Sequence, residues 1–315
     1  MGKITLEGVL AACHTDRRNI TGATMLIFPE GATASALVMG GGPGTRGFDA
    51  LHPARTPTPV FGIMVAGGSA MGLDAAAGLT AYLREEGIGL AIDHLRVPTV
   101  ASCVVFDLFV GEPIPPRSEE VYAACKGASR ELPSGSHGAG CGAVVGKLFT
   151  VKHGTKGGQA YAEDEVDGVK VGVLCVVNAF GDVVKDGRVV AGARDPGGKG
   201  WAITSDRILK GTTREIPGIT STTICIVLTD AALTKPQCYR VAHVAASGMA
   251  RVIDPVWTIY DGDVVVVASV GKKKADITRI GVLASRLIER ACVEAVVEAE
   301  ELGGIPNCKS INPEL

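Results

Sequence analysis

The chain has 315 residues, of which 46% are hydrophobic and 20% charged, a composition typical of one large globular domain or two ordinary ones. Its 31 basic and 33 acidic side chains leave a formal net charge of −2, which excludes the basic field that nucleic-acid or anionic-membrane binding requires. The aromatic content of 4% argues against stacking platforms for single-stranded nucleic acid. No apolar run approaches the roughly 20 residues of a membrane span, and no signal-peptide pattern is present. We therefore expect a cytoplasmic protein.

Nine cysteines are scattered along the chain. None of them forms a CxxC pair, and their number is odd. Both facts argue against a zinc site and against a disulfide framework. We therefore expect reduced thiols and no metal.

The first two thirds of the chain are predicted to be rich in strands. Apolar runs at 23–28 and 35–39, separated by a Pro-Glu-Gly turn, predict two short strands, and 60–66 predicts a buried one. Ser69 is expected to be the N-cap of the helix that follows, and Gly87 is expected to end it. The glycine-rich stretch 182–218 lacks periodicity, and we expect it to be an exposed, mobile segment that tolerates a chain break.

The last third of the chain has clearer patterns. Residues 222–228 predict a β-branched strand, and apolar residues at helical spacing predict helices over 235–252 and 278–302. The sequence Asp-Gly-Asp at 261–263 predicts the turn of a hairpin between strands at 257–260 and 264–270. Strands and helices come in blocks, which favours stacked layers with a mixed or antiparallel sheet.

The glycine-rich turn at 67–72 lies where a dinucleotide-binding loop would lie. Its second glycine comes one position earlier than GxGxxG requires, so a tight strand-to-helix turn is the favoured interpretation. A helix N-terminus facing a substrate carboxylate stays an alternative. The six histidines are isolated, and without a GxSxG elbow nothing indicates a Ser-His-Asp triad.

Short motifs follow one another in a fixed order between residues 41 and 263. They are GGPGTR (41–46), GGSA (67–70), GLDAA (72–76), RVP (96–98), FDL (106–108), GAG (138–140), GK (146–147), NAFGD (178–182), TTI (222–224), TDA (229–231) and DGD (261–263). Together they resemble the DmpA-type aminopeptidase family (peptidase family S58), and within it most closely the nylon-oligomer, or 6-aminohexanoate-oligomer, hydrolases.

The resemblance implies an α+β fold, a four-layer αββα sandwich of the DmpA/ornithine-acetyltransferase type, formed by one domain over 1–315. It implies a precursor that cuts itself between Ser221 and Thr222 into an α-chain (1–221) and a β-chain (222–315), with Thr222 as the nucleophile. The three consecutive hydroxyl residues at 220–222 leave the exact bond open by one residue. A free α-amino group, with a pKa of about 7.7–8.0, would serve as the base that the Thr222 hydroxyl needs.

The resemblance also implies roles for residues far from Thr222 in the sequence. Asn178 matches the oxyanion-hole donor, and Lys147 matches a lysine that lowers the pKa of the nucleophile's hydroxyl. Asp261 and Asp263 match an acidic pair that orients the nucleophile's amine or binds a substrate ammonium group.

Three residues of the glycine-rich turn, Gly68, Ser69 and Met71, are implied to bind substrate. Relatives often have a tyrosine at the position of Met71, and Ala66 replaces the first serine of the family's run. The substrate pocket is therefore expected to differ from that of the nylon-oligomer hydrolases.

The implied activity is hydrolysis of amide bonds in short peptides with D- or β-residues, or in 6-aminohexanoate oligomers, through an acyl-enzyme. The resemblance implies neither a metal nor an organic cofactor, and it implies a homotetramer of processed αβ units. Three alternatives stay open. They are an acyltransferase of the ornithine-acetyltransferase type, an unprocessed non-catalytic homologue, and a nucleotide-binding protein that uses the 67–72 turn.

Overall fold

The computed structural model describes residues 2–198, 200–212 and 220–313. The helices are α1 Ala76–Glu85, α2 Ser118–Cys125, α3 Thr204–Leu209, α4 Lys235–Val252, α5 Ile277–Val297 and α6 Cys308–Ile311. The strands are β1 Gly2–Lys3, β2 Leu10–Asp16, β3 Thr21–Val38, β4 Thr45–Arg46, β5 Val60–Ala66, β6 Leu90–Ile92, β7 Leu95–Val97, β8 Val100–Val104, β9 Glu131–Leu132, β10 Val144–Val145, β11 Thr155–Lys156, β12 Gly158–Val166, β13 Val169–Asn178, β14 Asp182–Lys185, β15 Arg188–Ala191, β16 Thr222–Ala231, β17 Ile253–Asp254 and β18 Val264–Lys273.

Strand β3 belongs to two sheets. Its second half closes a sheet of order β12-β13-β16-β18-β3, and its first half lies in a sheet formed with β2, β5, β8 and β4. The pairs β16-β18 and β5-β8 are parallel and the others are antiparallel, so the predicted mixed sheet is confirmed. The prediction of two strands within 23–39 is wrong. One strand runs through, with an irregularity between Ile27 and Ala32 where Gly31 has a φ of 80°.

The two sheets pack face to face, and helices cover their outer faces. Leu26 and Ile63 of one sheet pack with Leu174, Ile226 and Val266 of the other in a core between the sheets. Helices α4 and α5 cover the outer face of the sheet that contains β13, β16 and β18. Helices α1 and α2 cover the outer face of the sheet that contains β5 and β8. The four layers follow the order αββα, which is the architecture that the resemblance implied.

The central strands are apolar on both faces because both faces are covered. In β16, every residue from Thr222 to Thr229 is buried, and β18 is buried from Val264 to Ser269. Such continuous apolar runs are typical of strands between two layers of packed structure. The 222–228 prediction is therefore confirmed, and the strand extends to Ala231.

The two long helices begin at well-formed caps. Thr234 and Gln237 form a capping box at the start of α4, and the Asp276 side chain accepts hydrogen bonds from the first backbone N–H groups of α5. Helix α4 has the predicted bounds, and α5 ends at Val297, five residues earlier than predicted. None of the helices in the described ranges has the length and apolarity needed to span a bilayer.

The hairpin predicted around residues 261–263 is wrong. Residues 257–260 form no strand, and β18 pairs in parallel with β16 and in antiparallel with β3. An Asp-Gly turn signal is local, and here the parallel pairing with β16 overrides it. The 261–263 segment is instead a loop that leads into β18.

Of the two residues predicted to bound the helix after β5, one needs correction. Ser69 makes no side-chain cap hydrogen bond, and it begins a 3₁₀-helix, Ser69–Ala75, that precedes α1. Gly87, with a φ of 68°, follows the end of α1 as predicted.

The segment 182–218 was predicted to be exposed and mobile throughout, yet its first part is packed. It contains β14, β15 and α3, and the buried Asp182 carboxylate accepts hydrogen bonds from the backbone N–H groups of Ala193 and Thr204. Within this segment, residues 199 and 213–218 lie outside the described part of the chain.

The core between the sheets makes a direct prediction about stability. Leu228→Ala should lower the free energy of unfolding by about 2–5 kcal/mol, because Leu228 is fully buried and its truncation leaves a cavity that the neighbouring side chains fill only in part. The control Leu209→Ala, at a leucine that is 87% exposed, should change it by less than about 0.5 kcal/mol. Urea denaturation measures both, and equal losses would contradict the assigned core.

Candidate active site

The register of two strands places the predicted nucleophile beside the predicted oxyanion donor. Asn178 is the last residue of β13, Thr222 is the first residue of β16, and the two are directly paired in the antiparallel ladder. Strand β18 enters beside β16 with Val264 opposite Ile224, so the loop containing Asp261 reaches the same end of the sheet. Residues far apart in sequence therefore converge there.

Lys147 lies at the centre of this convergence. A turn at Gly146, which has a φ of 69°, leads its side chain inward, and the residue is only 1% exposed. Its Nζ donates to Asn178 O at 2.7 Å, Asn178 Oδ1 at 2.8 Å and Thr220 O at 2.8 Å. The buried ammonium thus joins the end of β13 to the segment that precedes Thr222, in line with its implied place near the nucleophile.

The orientation of the Asn178 side-chain amide follows from its neighbours. Its Oδ1 accepts from Val144 N at 3.0 Å and from Lys147 Nζ, and both of these groups are donors. The Nδ2 atom therefore lies on the other side, where it donates to Phe106 O at 3.0 Å. Since an amide nitrogen carries two hydrogens, the second is suited to a developing oxyanion.

Thr222 contacts the carbonyl group of the residue before it. Its Oγ1 donates to Ser221 O at 2.5 Å, and Gly262 N donates to the same oxygen at 2.8 Å. The neighbouring hydroxyls of Ser221 and Thr223 are buried and have no hydrogen-bond partner among the described residues. The Thr222 hydroxyl thus lies against the bond that the resemblance implied would be cut.

Asp261 and Asp263 hold the backbone around Thr222. Asp261 accepts from Phe180 N at 3.0 Å and from Thr258 N at 3.1 Å, and Asp263 accepts from Thr223 N. Burial raises the pKa of both carboxyls, and the negative charge of Asp261 raises that of Asp263 further. The pair therefore positions Thr223 and the loop that carries Gly262.

The glycine-rich turn is bound to the same site through two consecutive residues. Gly68, with a φ of 82°, donates its N–H to Asp107 Oδ1 at 2.7 Å, and Ser69 N donates to Val105 O at 3.0 Å. Asp107 directly follows Phe106, whose carbonyl accepts from Asn178 Nδ2. The first N–H groups of the turn are thus engaged by the protein, which argues against phosphate binding by a nucleotide there.

Met71 is a predicted substrate-binding residue, whereas no role was predicted for Asp107. Met71 is 50% exposed, so its side chain is free to contact a substrate. Sequence reasoning assigned no role to Asp107 or to Gly262, although both belong to motifs of the resemblance (FDL and DGD). The Asp107 carboxyl is buried and accepts from Thr21 Oγ1 at 2.7 Å, and burial raises its pKa to about 6.

Comparisons with known proteins identify the family of the chain. A model of peptidase family S58 matches residues 4–309. An uncharacterised aminopeptidase of Mycobacterium tuberculosis (strain ATCC 25618 / H37Rv) is 34% identical over an alignment of 316 residues, which covers 93% of this chain and 90% of that protein. A 6-aminohexanoate-oligomer endohydrolase of Paenarthrobacter ureafaciens is 28% identical over 311 residues, covering 87% of this chain and 80% of that protein.

Solved structures share the fold at lower identity. An L-aminopeptidase D-Ala-esterase/amidase from Ochrobactrum anthropi, described as a variant of the Ntn-hydrolase fold, has a TM-score of 0.72 and 17% identity, with 96% of this chain and 88% of that chain covered. A β-aminopeptidase from Burkholderia sp. has a TM-score of 0.70 and 20% identity, with 96% and 89% covered.

The fold is therefore that of the Ntn-hydrolase aminopeptidases, and the protein is an amide-bond hydrolase. The chain belongs to peptidase family S58.

The buried Asp107 carboxyl predicts a pH dependence of stability. Its pKa is raised from 3.8 to about 6, so its contribution is fully present below about pH 4 and is lost as the pH rises through about 6. Asp107→Asn keeps the acceptor for Gly68 N and stays neutral. Relative to this variant, the wild-type free energy of unfolding should fall by about 2.4 kcal/mol between pH 4 and pH 7, out of about 3 kcal/mol for the whole shift. Parallel stability curves from chemical denaturation would contradict the assignment.

Proposed function

We propose that this chain is the precursor of an N-terminal-threonine amide hydrolase, and that it cuts itself between Ser221 and Thr222. The contact of Thr222 Oγ1 with Ser221 O, at 2.5 Å, is the observation that carries the proposal. It sets the hydroxyl beside the carbonyl of its own peptide bond, where attack yields an ester. The peptide bond between Ser221 and Thr222, at the start of β16, is thereby the first bond that the enzyme cuts.

The first step is an acyl shift within residues 221 and 222. Oγ1 bonds to the Ser221 carbonyl carbon, the C–N bond breaks, and the hydroxyl proton ends on the Thr222 nitrogen, which becomes an amine. The negative charge that develops on Ser221 O is stabilised by Gly262 N, which donates to that oxygen already in the uncut chain. One such donor contributes roughly 2.7–4 kcal/mol to comparable reactions. Water then hydrolyses the ester and frees Thr222 as a new N-terminus.

The freed α-amino group turns the same hydroxyl into a general nucleophile. The amine accepts the Oγ1 proton, Oγ1 attacks the substrate carbonyl, and Asn178 Nδ2 donates to the oxyanion. The positive charge of Lys147 lies near this centre and favours the neutral, basic form of the amine. The leaving amine takes the proton, and water releases the acyl group from Thr222. Nucleophile, base and oxyanion donor are thus all supplied by the chain.

For the substrates we propose short peptides with D- or β-residues, or 6-aminohexanoate oligomers. The supporting observations are the names of relatives, which include a 6-aminohexanoate-oligomer endohydrolase and a β-aminopeptidase. Gly68, Ser69 and Met71 belong to the turn that Asp107 holds beside Phe106, and we assign them to the substrate side of the site. Met71, an unbranched and flexible side chain, suits a linear aliphatic substrate.

We further propose that the processed units assemble as a homotetramer. The β6-β7 hairpin supports association between copies, because its apolar side chains are unusually exposed. Ile92 is 50%, Leu95 52% and Val97 41% exposed. Adjacent exposed apolar side chains of this kind are typical of contact surfaces.

The catalytic assignment predicts a specific kinetic change in processed protein. Asn178→Ala should lower kcat for a β-dipeptide or a 6-aminohexanoate oligomer by about 10²–10³-fold with little change in KM, because the donor acts on charge that exists only in the transition state. Asn19→Ala, at an asparagine in a surface turn with Asp16, serves as the control and should keep full activity.

The same assay separates hydrolysis from acyl transfer. A hydrolase releases the free acid at a rate that an added amine such as ornithine does not alter. Conversion of the acyl group mainly into a new amide would favour the acyltransferase alternative.

In the comparison of Asn178→Ala with Asn19→Ala, an equal loss of activity in both variants would contradict the role of Asn178.

A further inference from the structure

Three of the nine cysteines meet at one point of the core. Cys175 lies on β13, Cys225 on β16 and Cys292 on α5, and all three are fully buried. Their sulfurs lie within 4.8 Å of one another, and Cys175 Sγ is 3.3 Å from Cys225 Sγ. The sequence shows no sign of this cluster, because its members come together only through strand register and helix packing.

The backbone suits a covalent bond between two of these residues. Cys175 and Cys225 are directly opposite each other in the antiparallel ladder of β13 and β16. Opposite residues in such a ladder have Cα atoms about 4.5–5.5 Å apart, within the range of about 4.4–6.8 Å that disulfides span. The sulfurs are 3.3 Å apart, so they must approach by little more than about 1 Å to reach the disulfide bond length of about 2.05 Å.

The surroundings favour a neutral product over a metal–thiolate complex. The cluster lies among buried aliphatic side chains, including Val173, Val227 and Val265. Burial raises the pKa of the Cys175 and Cys225 thiols well above the usual range, and the Asp263 carboxylate adds negative charge nearby. Three thiolates around a metal would add more negative charge to this apolar core, whereas a disulfide carries none.

We propose that Cys175 and Cys225 form a reversible disulfide, which links the two chains that self-cleavage produces. Cys175 belongs to 1–221 and Cys225 to 222–315, so the link between chains rests on the proposed cleavage. The disulfide itself does not depend on cleavage. It lies three residues from Asn178 on β13 and three residues from Thr222 on β16, so it crosslinks the two strands that carry these residues.

The oxidant is a hydroperoxide, and the reaction balances without other reactants. One thiol takes an oxygen atom from hydrogen peroxide to become a sulfenic acid, and water leaves. The second thiol then displaces the hydroxyl group as water, so the pair loses two electrons and two protons in total. Cys292 offers a second position for the bridge. Its sulfur attacks the Cys225 sulfur while its proton passes to the Cys175 sulfur, which leaves as the thiol. The bridge then lies between Cys225 and Cys292 within the β-chain, with no change in oxidation state, and a dithiol such as dithiothreitol returns the cluster to three thiols.

The test uses the full, processed protein, reduced, freed of reductant and treated with hydrogen peroxide. Non-reducing gel electrophoresis should show the two chains converted into one species near the full mass of 32.4 kDa, which dithiothreitol resolves again. Cys175→Ser and Cys225→Ser should abolish this species. Cys308→Ser, at another buried cysteine of 222–315, should still form the crosslinked species. Cys292→Ser should increase the yield of that species, because the bridge can no longer move to Cys225–Cys292.

Peptide mapping of the oxidised wild type tests the disulfide without a variant, and it does so whether or not the chain has cut itself. A tryptic peptide covering 171–185 should be found joined to the peptide that contains Cys225. A joined peptide in protein that stays a single chain would uphold the disulfide and refute self-cleavage. Free thiols at both positions after full peroxide treatment, or a stoichiometric thiolate-bound metal in the purified protein, would overturn the proposal.

Discussion

A buried ammonium group binds the parts of this site together. Lys147 Nζ has three hydrogens to donate, and its position inside the protein makes any unsatisfied one costly. Among the described residues, it donates to three oxygens of Asn178 and Thr220, which belong to the two segments that meet where β13 ends and β16 begins. The lysine therefore fixes both the donor amide of Asn178 and the chain that leads into Thr222.

The same arrangement offers a separate donor for each of the two proposed oxyanions. Gly262 N donates to Ser221 O, the carbonyl of the chain itself, whereas Asn178 Nδ2 has a second hydrogen that we propose for the carbonyl of a substrate. Asp261 and Asp263 support the first donor because they hold the loop and Thr223. Phe106 and Asp107 support the second, because one accepts from Asn178 and the other holds the glycine-rich turn. The proposed self-cleavage and the proposed turnover thus share one nucleophile and use different backbone supports.

Local patterns in the sequence predict the elements better than their pairing. The helix over 235–252 follows from apolar periodicity, and the apolar run at 222–228 follows from burial on both faces. The Asp-Gly-Asp hairpin is wrong because parallel pairing between β16 and β18 is a long-range contact that no local signal encodes. Ser69 has the composition of a cap but enters a 3₁₀-helix instead.

The site depends on register, which composition does not reveal. Physical reasoning on the sequence treats Asn178, Lys147 and Thr222 as ordinary strand and surface residues, and only the family resemblance assigns roles to them. Neither approach identified a role for Asp107 or for the three-cysteine cluster, because both features depend on contacts between residues far apart in the sequence.

The central claim is that Thr222 attacks and cuts the peptide bond that joins it to Ser221. Intact mass under denaturing conditions tests it most directly, with wild type compared with Thr222→Ala and with Ser221→Ala. The account predicts two chains in the wild type, the smaller beginning at Thr222, the same bond cut in Ser221→Ala, and one full-length chain in Thr222→Ala. A single intact chain in active wild-type protein, or cleavage that survives in Thr222→Ala, would contradict it.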